Sequence, residues 1–432
     1  MKKLIIEGGN TLTGTIKIGG AKNSVVALIP AAMLTNGIVE IDNVPNISDV
    51  HKLIDMMKIL GSKVTFENEK LILDNRETKN VEIPAEYANS IRASYYFMGS
   101  LLSKYKHAKI SFPGGCVIGS RPIDFHINGF KKLGAQVKIE ENTYEIIADK
   151  LKGTDIHLDF ASVGATINLM FASVYAEGTT HIYNAAKEPE IVNIADFLNS
   201  MGANIQGAGT DNITIEGVKE LHNGYIKVIP DRIEAGTYIM LGTLLGKNLK
   251  IDGVIKEHLE AVIEKLYEAG ADLNFEAQSV LVNKVKKLKS VDVTTKTHPG
   301  FPTDLGQPMS TLLTQCEGTS EFVETIYENR MRHIPHLNKM GASITLKGTQ
   351  ASIKGTTPLT GTTVVATDLR AGAAMMVAGM IAKGTTTISN IEHILRGYEN
   401  IVEKLNNVGG NIKLIDTEDK VLTKNNNNTC NN

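Results

Sequence analysis

A phrase of hydrophobic and polar positions recurs along the chain at intervals of about 70 residues. In each copy an apolar run with helical spacing ends at a glycine, and alternating strand-like residues follow, as between Phe125 and Ile139. The copies lie at Leu60-Gly61-Ser62, Leu133-Gly134-Ala135, Met201-Gly202-Ala203, Ala269-Gly270-Ala271, Met340-Gly341-Ala342 and Val408-Gly409-Gly410. Each glycine is therefore predicted to cap a helix and to lead into a strand.

A second glycine phrase precedes most of these helices and is predicted to close an earlier helix and open another strand. Its glycines are Gly37, Gly178, Gly246, Gly318 and Gly384. Each repeat then reads helix, strand, loop, helix, strand, which predicts six α/β units. Because the period exceeds that of common solenoid repeats, we expect two lobes of three units each.

The composition is that of an ordinary globular protein. The chain has 432 residues, of which 42% are hydrophobic and 21% charged, and a formal net charge of -2. This length is enough for two or three domains. The near-neutral charge argues against a nucleic-acid or membrane-surface partner. The most apolar windows, 25–34 and 371–382, are too short to span a bilayer.

The three cysteines, Cys116, Cys316 and Cys430, lie far apart and lack metal-ligand spacing. This pattern favours a reduced, cytoplasmic setting and predicts no metal site. The polar, asparagine-rich end of the chain predicts a disordered tail over 419–432, in which Cys430 is incidental.

Cys116 follows Pro113-Gly114-Gly115, precedes Arg121 by five residues and lies in the strand-to-helix loop of the second repeat. Glycines give such a loop conformational freedom, and a nearby cation favours the reactive thiolate. From the residues alone, the thiol is either reactive or a small buried hydrophobe. Pro122 is predicted to lie in the first turn of the next helix.

The segment Gly19-Gly20-Ala21-Lys22-Asn23-Ser24 follows a predicted strand at 15–18 and opens a predicted helix at 25–34. Backbone N–H groups at a helix start, with a lysine beside them, suit a phosphate or carboxylate. The segment does not have the spacing of a Walker loop. The alternative is that Asn23 or Ser24 only caps the helix and Lys22 is solvated.

Asp304 and Gln307 form a capping-box pattern at the start of a predicted helix near Leu305. The alternative role for Asp304 is a general base on a substrate hydroxyl, and the two roles are compatible. Arginines near loop or helix-end phrases could bind phosphate or carboxylate oxygens in a bidentate manner. They are Arg92, Arg121, Arg232, Arg330, Arg370 and Arg396.

Taken together and in order, these phrases resemble the UDP-N-acetylglucosamine 1-carboxyvinyltransferase family, the enolpyruvyl transferases of peptidoglycan synthesis. The resemblance runs from the first strand to about Leu414. It is carried by Gly20-Ala21-Lys22-Asn23, Ile91-Arg92-Ala93-Ser94, Pro113 through Asp124, Ser162-Val163-Gly164-Ala165-Thr166, Pro230-Asp231-Arg232-Ile233-Glu234, Phe301-Pro302-Thr303-Asp304, Glu328-Asn329-Arg330, Ala366-Thr367-Asp368-Leu369-Arg370 and Arg396-Gly397-Tyr398-Glu399.

The resemblance implies a two-lobed α/β fold, an inside-out α/β barrel in which each lobe has three repeated α/β units. The implied lobes are 21–229, which contains the Cys116 loop, and 1–20 with 230–418, with the active site in the cleft between them. The implied reaction moves the enolpyruvyl group of phosphoenolpyruvate onto the 3-hydroxyl of UDP-N-acetylglucosamine and releases phosphate. It needs an acid on one side and a base on the other, and we expect no cofactor.

The resemblance also implies roles for individual residues. Cys116 matches the family's cysteine, which can protonate the enolpyruvate and form a covalent adduct with it, and acid, nucleophile and product-release roles stay open for it. Asp304 matches the carboxylate proposed to take the hydroxyl proton. Lys22, Arg121 and Arg396 match the cationic cradle for phosphate and carboxylate. The sugar-nucleotide contacts match Asn23, Arg92, Arg121, Pro122, Ile123, Asp124, Phe125, Ser162, Val163, Gly164 and Ile326, while Arg330 and Arg370 support the cleft.

The chain departs from the pattern at Phe160, where some relatives have a lysine near the nucleotide. Two other functions stay open at this point. The first is 5-enolpyruvylshikimate-3-phosphate synthase, which shares the fold but lacks the Gly-Gly-Cys loop. The second is a non-catalytic paralogue that binds the UDP-sugar. The presence of Cys116, Lys22, Asp304 and Arg396 argues against this second function.

Overall fold

A computed structural model describes residues 2–114 and 123–416. The described residues form two compact units, each with its own hydrophobic core. The first unit comprises residues 19–114 and 123–231, and the second comprises residues 2–18 and 232–416. The predicted tail at 419–432 lies outside the described residues.

The helices and strands have these bounds among the described residues. The helices are α1 Lys22–Ala32, α2 Ser48–Ile59, α3 Ala85–Ala88, α4 Tyr96–Tyr105, α5 Asp124–Lys132, α6 Val163–Ser173, α7 Pro189–Ser200, α8 Arg232–Leu245, α9 Glu260–Glu268, α10 Thr303–Leu313, α11 Ile334–Lys339, α12 Leu369–Ile381, α13 Glu392–Leu395 and α14 Ile401–Asn406. Short 3-10 helices cover Arg92–Tyr95 and Lys256–His258. The strands are β1 Lys2–Glu7, β2 Leu12–Lys17, β3 Ile38–Asp42, β4 Lys63–Glu67, β5 Lys70–Asp74, β6 His107–Ser111, β7 Gln136–Glu140, β8 Thr143–Ile147, β9 Asp155–His157, β10 Thr179–Tyr183, β11 Asn204–Gln206, β12 Asn212–Glu216, β13 Gly224–Lys227, β14 Gly246–Asp252, β15 Asp272–Glu276, β16 Ser279–Asn283, β17 Leu288–Lys289, β18 Val293–Thr294, β19 Cys316–Val323, β20 Ser343–Lys347, β21 Gln350–Gly355, β22 Thr363–Val365, β23 Thr385–Ser389 and β24 Ile412–Asp416.

Each unit contains three small sheets built on one plan. The sheets of the first unit have the orders β13-β3-β5-β4, β6-β8-β7 and β11-β12-β10-β9. Those of the second unit are β15-β16-β14-β2, β17-β19-β21-β20 with β18 beside β19, and β22-β23-β1-β24. In the sheets on β3, β10, β19 and β23, the central strand pairs in parallel with a short strand and antiparallel with a longer partner. The central strand β14 also has one parallel and one antiparallel partner, but there the parallel partner β2 is the longer of the two.

One helix of each repeat lies inside its unit, with the sheets outside. Helices α1, α4 and α6 are buried over most of their length, as are α8, α10 and α12 in the second unit. A helix that is apolar on all sides can be stable only when it is buried on all sides. This arrangement confirms the predicted α/β fold with three repeated units in each half, the helices inside and the strands outside.

The six predicted capping glycines all have a left-handed backbone. Their φ angles are 92° at Gly61, 102° at Gly134, 103° at Gly202, 90° at Gly270, 106° at Gly341 and 101° at Gly409. This region favours glycine because it carries no Cβ. The prediction that each glycine ends a helix and leads into a strand is therefore confirmed.

The sequence pattern missed half of the strands after these glycines. Where it predicted a single strand, the structure has an antiparallel hairpin, as in β4-β5 and β7-β8. The last repeat has β24 alone, and its antiparallel partner is the N-terminal strand β1, in which Leu4 is opposite Leu414. Gly318, predicted to precede a strand, lies inside β19.

The C-terminal end of α1, the helix that begins at Lys22, is held by a half-buried lysine. The Lys104 Nζ donates to the backbone oxygens of Met33 at 2.9 Å and Thr35 at 3.0 Å, and to Thr78 Oγ1 at 3.0 Å. Carbonyls at a helix C-terminus lack partners inside the helix, and a cation there also matches the helix dipole. Burial lowers the pKa of Lys104 to about 8.

This shift gives a testable pH dependence of stability. Between pH 8 and the ordinary lysine value, the unfolded chain binds more protons at Lys104 than the folded one, so the contribution of this group to stability rises with pH. Urea titrations of the wild type and of Lys104→Met measure this effect. The difference between their free energies of unfolding, wild type minus variant, should increase from pH 7.5 to pH 10. The exposed Lys138→Met is the matched control. A difference that falls over this range would contradict the assignment.

Candidate active site

Asp304 lies in the first turn of the buried helix α10 and forms two ion pairs. One carboxylate oxygen lies 2.5 Å from Arg330 Nη2, and the other lies 2.9 Å from Arg370 Nη2. The helix begins at Thr303 with Pro302 at the N-cap position, and no side chain caps it. The capping-box prediction for Asp304 and Gln307 is therefore wrong, because long-range ion pairs use the carboxylate instead.

The two guanidiniums are almost completely buried. The Arg330 side chain is 4% exposed, that of Arg370 is 5% exposed, and that of Asp304 is 25% exposed. Burial acts to raise the pKa of Asp304, but the charges and hydrogen bonds of Arg370 and Arg330 outweigh it and hold that pKa well below the usual carboxyl range. Asp304 is therefore an ionised carboxylate at neutral pH.

Two further residues hold this ion-pair cluster in place. The Asp368 carboxylate caps α12, accepting from the backbone N–H groups of Arg370 at 2.9 Å and Ala371 at 3.0 Å. The Gln307 Nε2 donates to the backbone oxygen of Arg330 at 2.7 Å. An aspartate just before an apolar helical run was a signal for the first, whereas the capping-box pattern singled out Gln307 for a different role.

The other predicted residues of the second unit lie on loops. Ile326 is half-buried in the loop after β19, and its backbone N–H donates to Glu324 Oε1 at 2.7 Å. Arg396 is half-buried and directly follows α13. Two residues further on, the buried Tyr398 hydroxyl lies 2.8 Å from Thr237 Oγ1 on α8, which anchors this loop.

In the first unit, the helix that was predicted to start at Val25 starts at Lys22. Neither Asn23 nor Ser24 caps it, and the Ser24 hydroxyl instead donates to Asn193 Oδ1 at 2.5 Å. The alternative that these residues are only caps is therefore wrong. Asn23 is half-buried in the same turn.

Lys22 is held by two carboxylates of its own unit. Its Nζ lies 3.1 Å from Asp49 Oδ2, a carboxylate that is 1% exposed, and its backbone N–H donates to Asp231 Oδ2 at 3.0 Å. The ammonium is therefore not simply solvated. Part of the predicted anion site at this helix start is filled by the Asp231 carboxylate.

Three predicted sugar-nucleotide segments meet around Tyr95. The Arg92 guanidinium lies 5.6 Å from the centre of the Tyr95 ring, and a Cβ at Gly164 would lie 2.5 Å from the Tyr95 hydroxyl, so a larger residue there would displace the tyrosine. The ring of His126, which directly follows Phe125, packs edge-on against Tyr95. Ser162 caps α6, its hydroxyl accepting from Ala165 N at 3.3 Å.

His126 is a buried residue of this cluster that sequence reasoning missed. The Asn168 amide is oriented by the N–H of Gly99 and the backbone oxygen of Tyr95, so its Nδ2 donates to His126 Nδ1 at 2.9 Å. The ring hydrogen is therefore on Nε2. Burial, with a contribution from Arg92, lowers the pKa of His126 to about 3, which keeps the ring neutral.

Comparison with known proteins places the chain in a family. A family profile described as EPSP synthase (3-phosphoshikimate 1-carboxyvinyltransferase) matches residues 6–405. UDP-N-acetylglucosamine 1-carboxyvinyltransferase 2 of Listeria innocua is 49% identical over 95% of this chain and 97% of its own. The protein of the same name from Bacillus cereus is 50% identical, with coverages of 95% and 96%.

The chain belongs to the UDP-N-acetylglucosamine 1-carboxyvinyltransferase family. Among solved structures, the enolpyruvyl transferase NikO of Streptomyces tendae has a TM-score of 0.89 at 26% identity and covers 96% of this chain and 99% of its own. EPSP synthase of Acinetobacter baumannii, at 18% identity, has a TM-score of 0.76 with coverages of 96% and 100% and supports the fold alone.

Among the predicted site residues of this family member, Cys116, Arg121 and Pro122 lie outside the described residues. Ile123 is buried, Asp124 is exposed, and Phe160 is 44% exposed.

Within 2–114 and 123–416, no helix has the length and apolar character needed to cross a membrane. In the same residues, no group of three or more His, Cys, Asp or Glu side chains could hold a metal ion.

The ion-pair cluster should make a measurable contribution to stability. Asp304→Ala leaves two buried guanidiniums without their counter-ion, and we expect the free energy of unfolding at pH 7 to fall by about 3 kcal/mol. Urea titration measures this change. Asp272→Ala, an exposed aspartate on β15, should alter stability much less. Equal stability of the two variants would contradict the structural importance of the cluster.

Proposed function

We propose that this protein transfers the enolpyruvyl group of phosphoenolpyruvate to the 3-hydroxyl of UDP-N-acetylglucosamine and releases phosphate, the first committed step of peptidoglycan synthesis. The observation that carries this proposal is the identity of 49–50%, over nearly the whole of both chains, to relatives named for that activity. The ionised Asp304 supports it, since the reaction needs a group that accepts the hydroxyl proton.

The reaction requires addition followed by elimination. Carbon 3 of phosphoenolpyruvate gains a proton, carbon 2 becomes cation-like, and the sugar oxygen bonds to carbon 2 while losing its own proton. Loss of phosphate and of a proton from carbon 3 then restores the double bond. Cys116 supplies the acid and can form an adduct with the enolpyruvate, whereas Asp304 receives the hydroxyl proton.

The ion pairs of Asp304 affect its strength as a base. A carboxylate held between two guanidiniums is a weak proton acceptor because its charged form is strongly favoured. Its basicity increases if Arg330 or Arg370 turns to a substrate anion. In this proposal Arg330 and Arg370 bind substrate, and their movement away from Asp304 controls its proton affinity.

The anionic groups of phosphoenolpyruvate are bound by Lys22, Arg121 and Arg396. Charges of this sign stabilise the phosphate as it leaves. The buried Asp49 beside Lys22 keeps the lysine ammonium in a defined position. A substrate anion then binds this ammonium in place of Asp49 or together with it. No metal or organic cofactor takes part.

The sugar nucleotide is bound by the residues that match the family's sugar-nucleotide contacts. In the first unit these are Asn23, Arg92, Ile123 to Phe125, and Ser162 to Gly164, of which Arg92, Phe125 and Gly164 are near Tyr95 or His126. Arg121 and Pro122, outside the described residues, belong to the same proposal. In the second unit the contacts are Asp304 and Ile326. The lobe bounds that the resemblance implies, 21–229 and 1–20 with 230–418, are part of the same proposal.

A phosphate-release assay tests the proposed reaction. Purified protein with phosphoenolpyruvate and UDP-N-acetylglucosamine should release phosphate without added metal or cofactor, and Cys116→Ala should reduce turnover by at least about 100-fold because the acid is lost. Equal release with shikimate 3-phosphate would favour the synthase alternative. No release with either acceptor would favour a non-catalytic sugar-binding protein.

The thiol assignment is tested by alkylation. The epoxide fosfomycin, which resembles phosphoenolpyruvate, should add to Cys116, and peptide mass spectrometry should locate the adduct there. Cys316 is the internal control, since burial raises the pKa of its thiol to about 12 and makes it unreactive. Cys316→Ser should be alkylated like the wild type. An unmodified Cys116 would remove the reactive-thiol assignment.

A further inference from the structure

Glu324 is a buried carboxylate at the end of β19 that no part of the proposed reaction uses. It is 2% exposed. Its Oε1 accepts from Thr295 Oγ1 at 3.0 Å and from the backbone N–H groups of Ile326 at 2.7 Å and Tyr327 at 3.2 Å. Its Oε2 accepts from Thr303 Oγ1 at 2.7 Å. A buried carboxylate is costly unless such bonds compensate for the loss of water.

The four donors come from three separate segments of the second unit. Thr295 follows β18, Thr303 is the first residue of α10 and directly precedes Asp304, and Ile326 and Tyr327 lie in the loop that leads to Arg330. Thr325 strengthens this junction, because its N–H donates to Thr295 Oγ1 at 2.9 Å and its hydroxyl donates to the Thr295 backbone oxygen at 2.5 Å.

One carboxylate therefore joins the backbone that carries the proposed base to the backbone that carries a proposed sugar contact. Each oxygen contacts a different segment: Oε2 accepts a bond from the start of α10, and Oε1 accepts a bond from the Ile326 loop. Groups that must meet one substrate within a fraction of an ångström depend on such supporting bonds. A shift of either backbone would separate Asp304 from Ile326.

We propose that Glu324 is a positioning residue that sets the geometry of Asp304 and Ile326 for the acceptor sugar. The proposal rests on the proposed function and names the residue that fixes the acceptor half of that site. Glu324 does not touch substrate, and its hydrogen-bond partners include none of the residues proposed to bind phosphoenolpyruvate. Its loss should therefore affect one substrate more than the other.

The test is the steady-state kinetics of Glu324→Gln with each substrate varied in turn. Glutamine keeps the size of the side chain but replaces one carboxylate oxygen, which accepts hydrogen bonds, with an NH2 group. The bonds accepted by that oxygen are therefore lost. We expect KM for UDP-N-acetylglucosamine to rise and kcat to fall, each by about tenfold, while KM for phosphoenolpyruvate changes by less than about twofold. The control Glu321→Gln, on the same strand and bonded to Gln350 Nε2 at 3.0 Å, should behave as the wild type.

A purely structural role would give a different result. In that case Glu324→Gln lowers the melting temperature but leaves both KM values unchanged, or raises both equally, and either result overturns the proposal. If this variant does not fold, Thr303→Val removes only the Oε2 bond and should raise KM for the sugar nucleotide by about threefold. Wild-type kinetics in a folded Thr303→Val would also overturn it.

The same experiment separates this proposal from the function on which it rests. A wild-type protein that releases no phosphate with UDP-N-acetylglucosamine overturns the proposed function and this proposal together. An active wild type with unchanged kinetics in Glu324→Gln overturns the positioning role alone.

Discussion

The ion pairs of Asp304 with Arg330 and Arg370 are the interaction on which the rest of the second unit's site depends. The three residues come from the first turn of α10, the loop after β19 and the first turn of α12. Two nearly buried guanidiniums are tolerated only when a counter-ion and hydrogen bonds compensate for the lost hydration. The cluster therefore joins two repeats at the place where the predicted base lies.

This arrangement has opposite consequences for folding and for chemistry. The same charges that keep Asp304 ionised also make it a weak proton acceptor. A fold selected only for stability would have no reason to leave a quarter of this carboxylate exposed between its partners. Exposure of the charged group is the expected property of a side chain that must exchange one of its partners for a ligand.

The sequence pattern predicted the fold well because the repeat is local. Six glycines with left-handed backbones and the apolar runs before them are short-range signals, and they were enough to predict two sets of three α/β units. The pairing of β1 with β24 could not be predicted this way, since the partners lie at opposite ends of the chain. The local capping pattern at Asp304 was misleading for a related reason, because distant arginines compete for the carboxylate.

The candidate site was predicted in its residue types but not in its partners. Asp49 beside Lys22, Asn168 beside His126 and Glu324 beside Thr303 are separated by 20 or more residues, so spacing carries no information on them. These partners decide whether a lysine is paired, which histidine nitrogen carries the hydrogen and where a base is placed. Such properties depend on tertiary contacts, which only the structure supplies.

The starts of the buried helices explain why candidate residues recur at equivalent places in the repeat. A helix start leaves N–H groups without partners inside the helix and has a positive partial charge, so a polar or acidic group is favourable there. At α1 this group is Asp231, at α6 it is Ser162 and at α12 it is Asp368. Because polar groups are favourable at these positions for structural reasons alone, a ligand with phosphate and carboxylate groups can be bound beside them with few further changes to the buried helices.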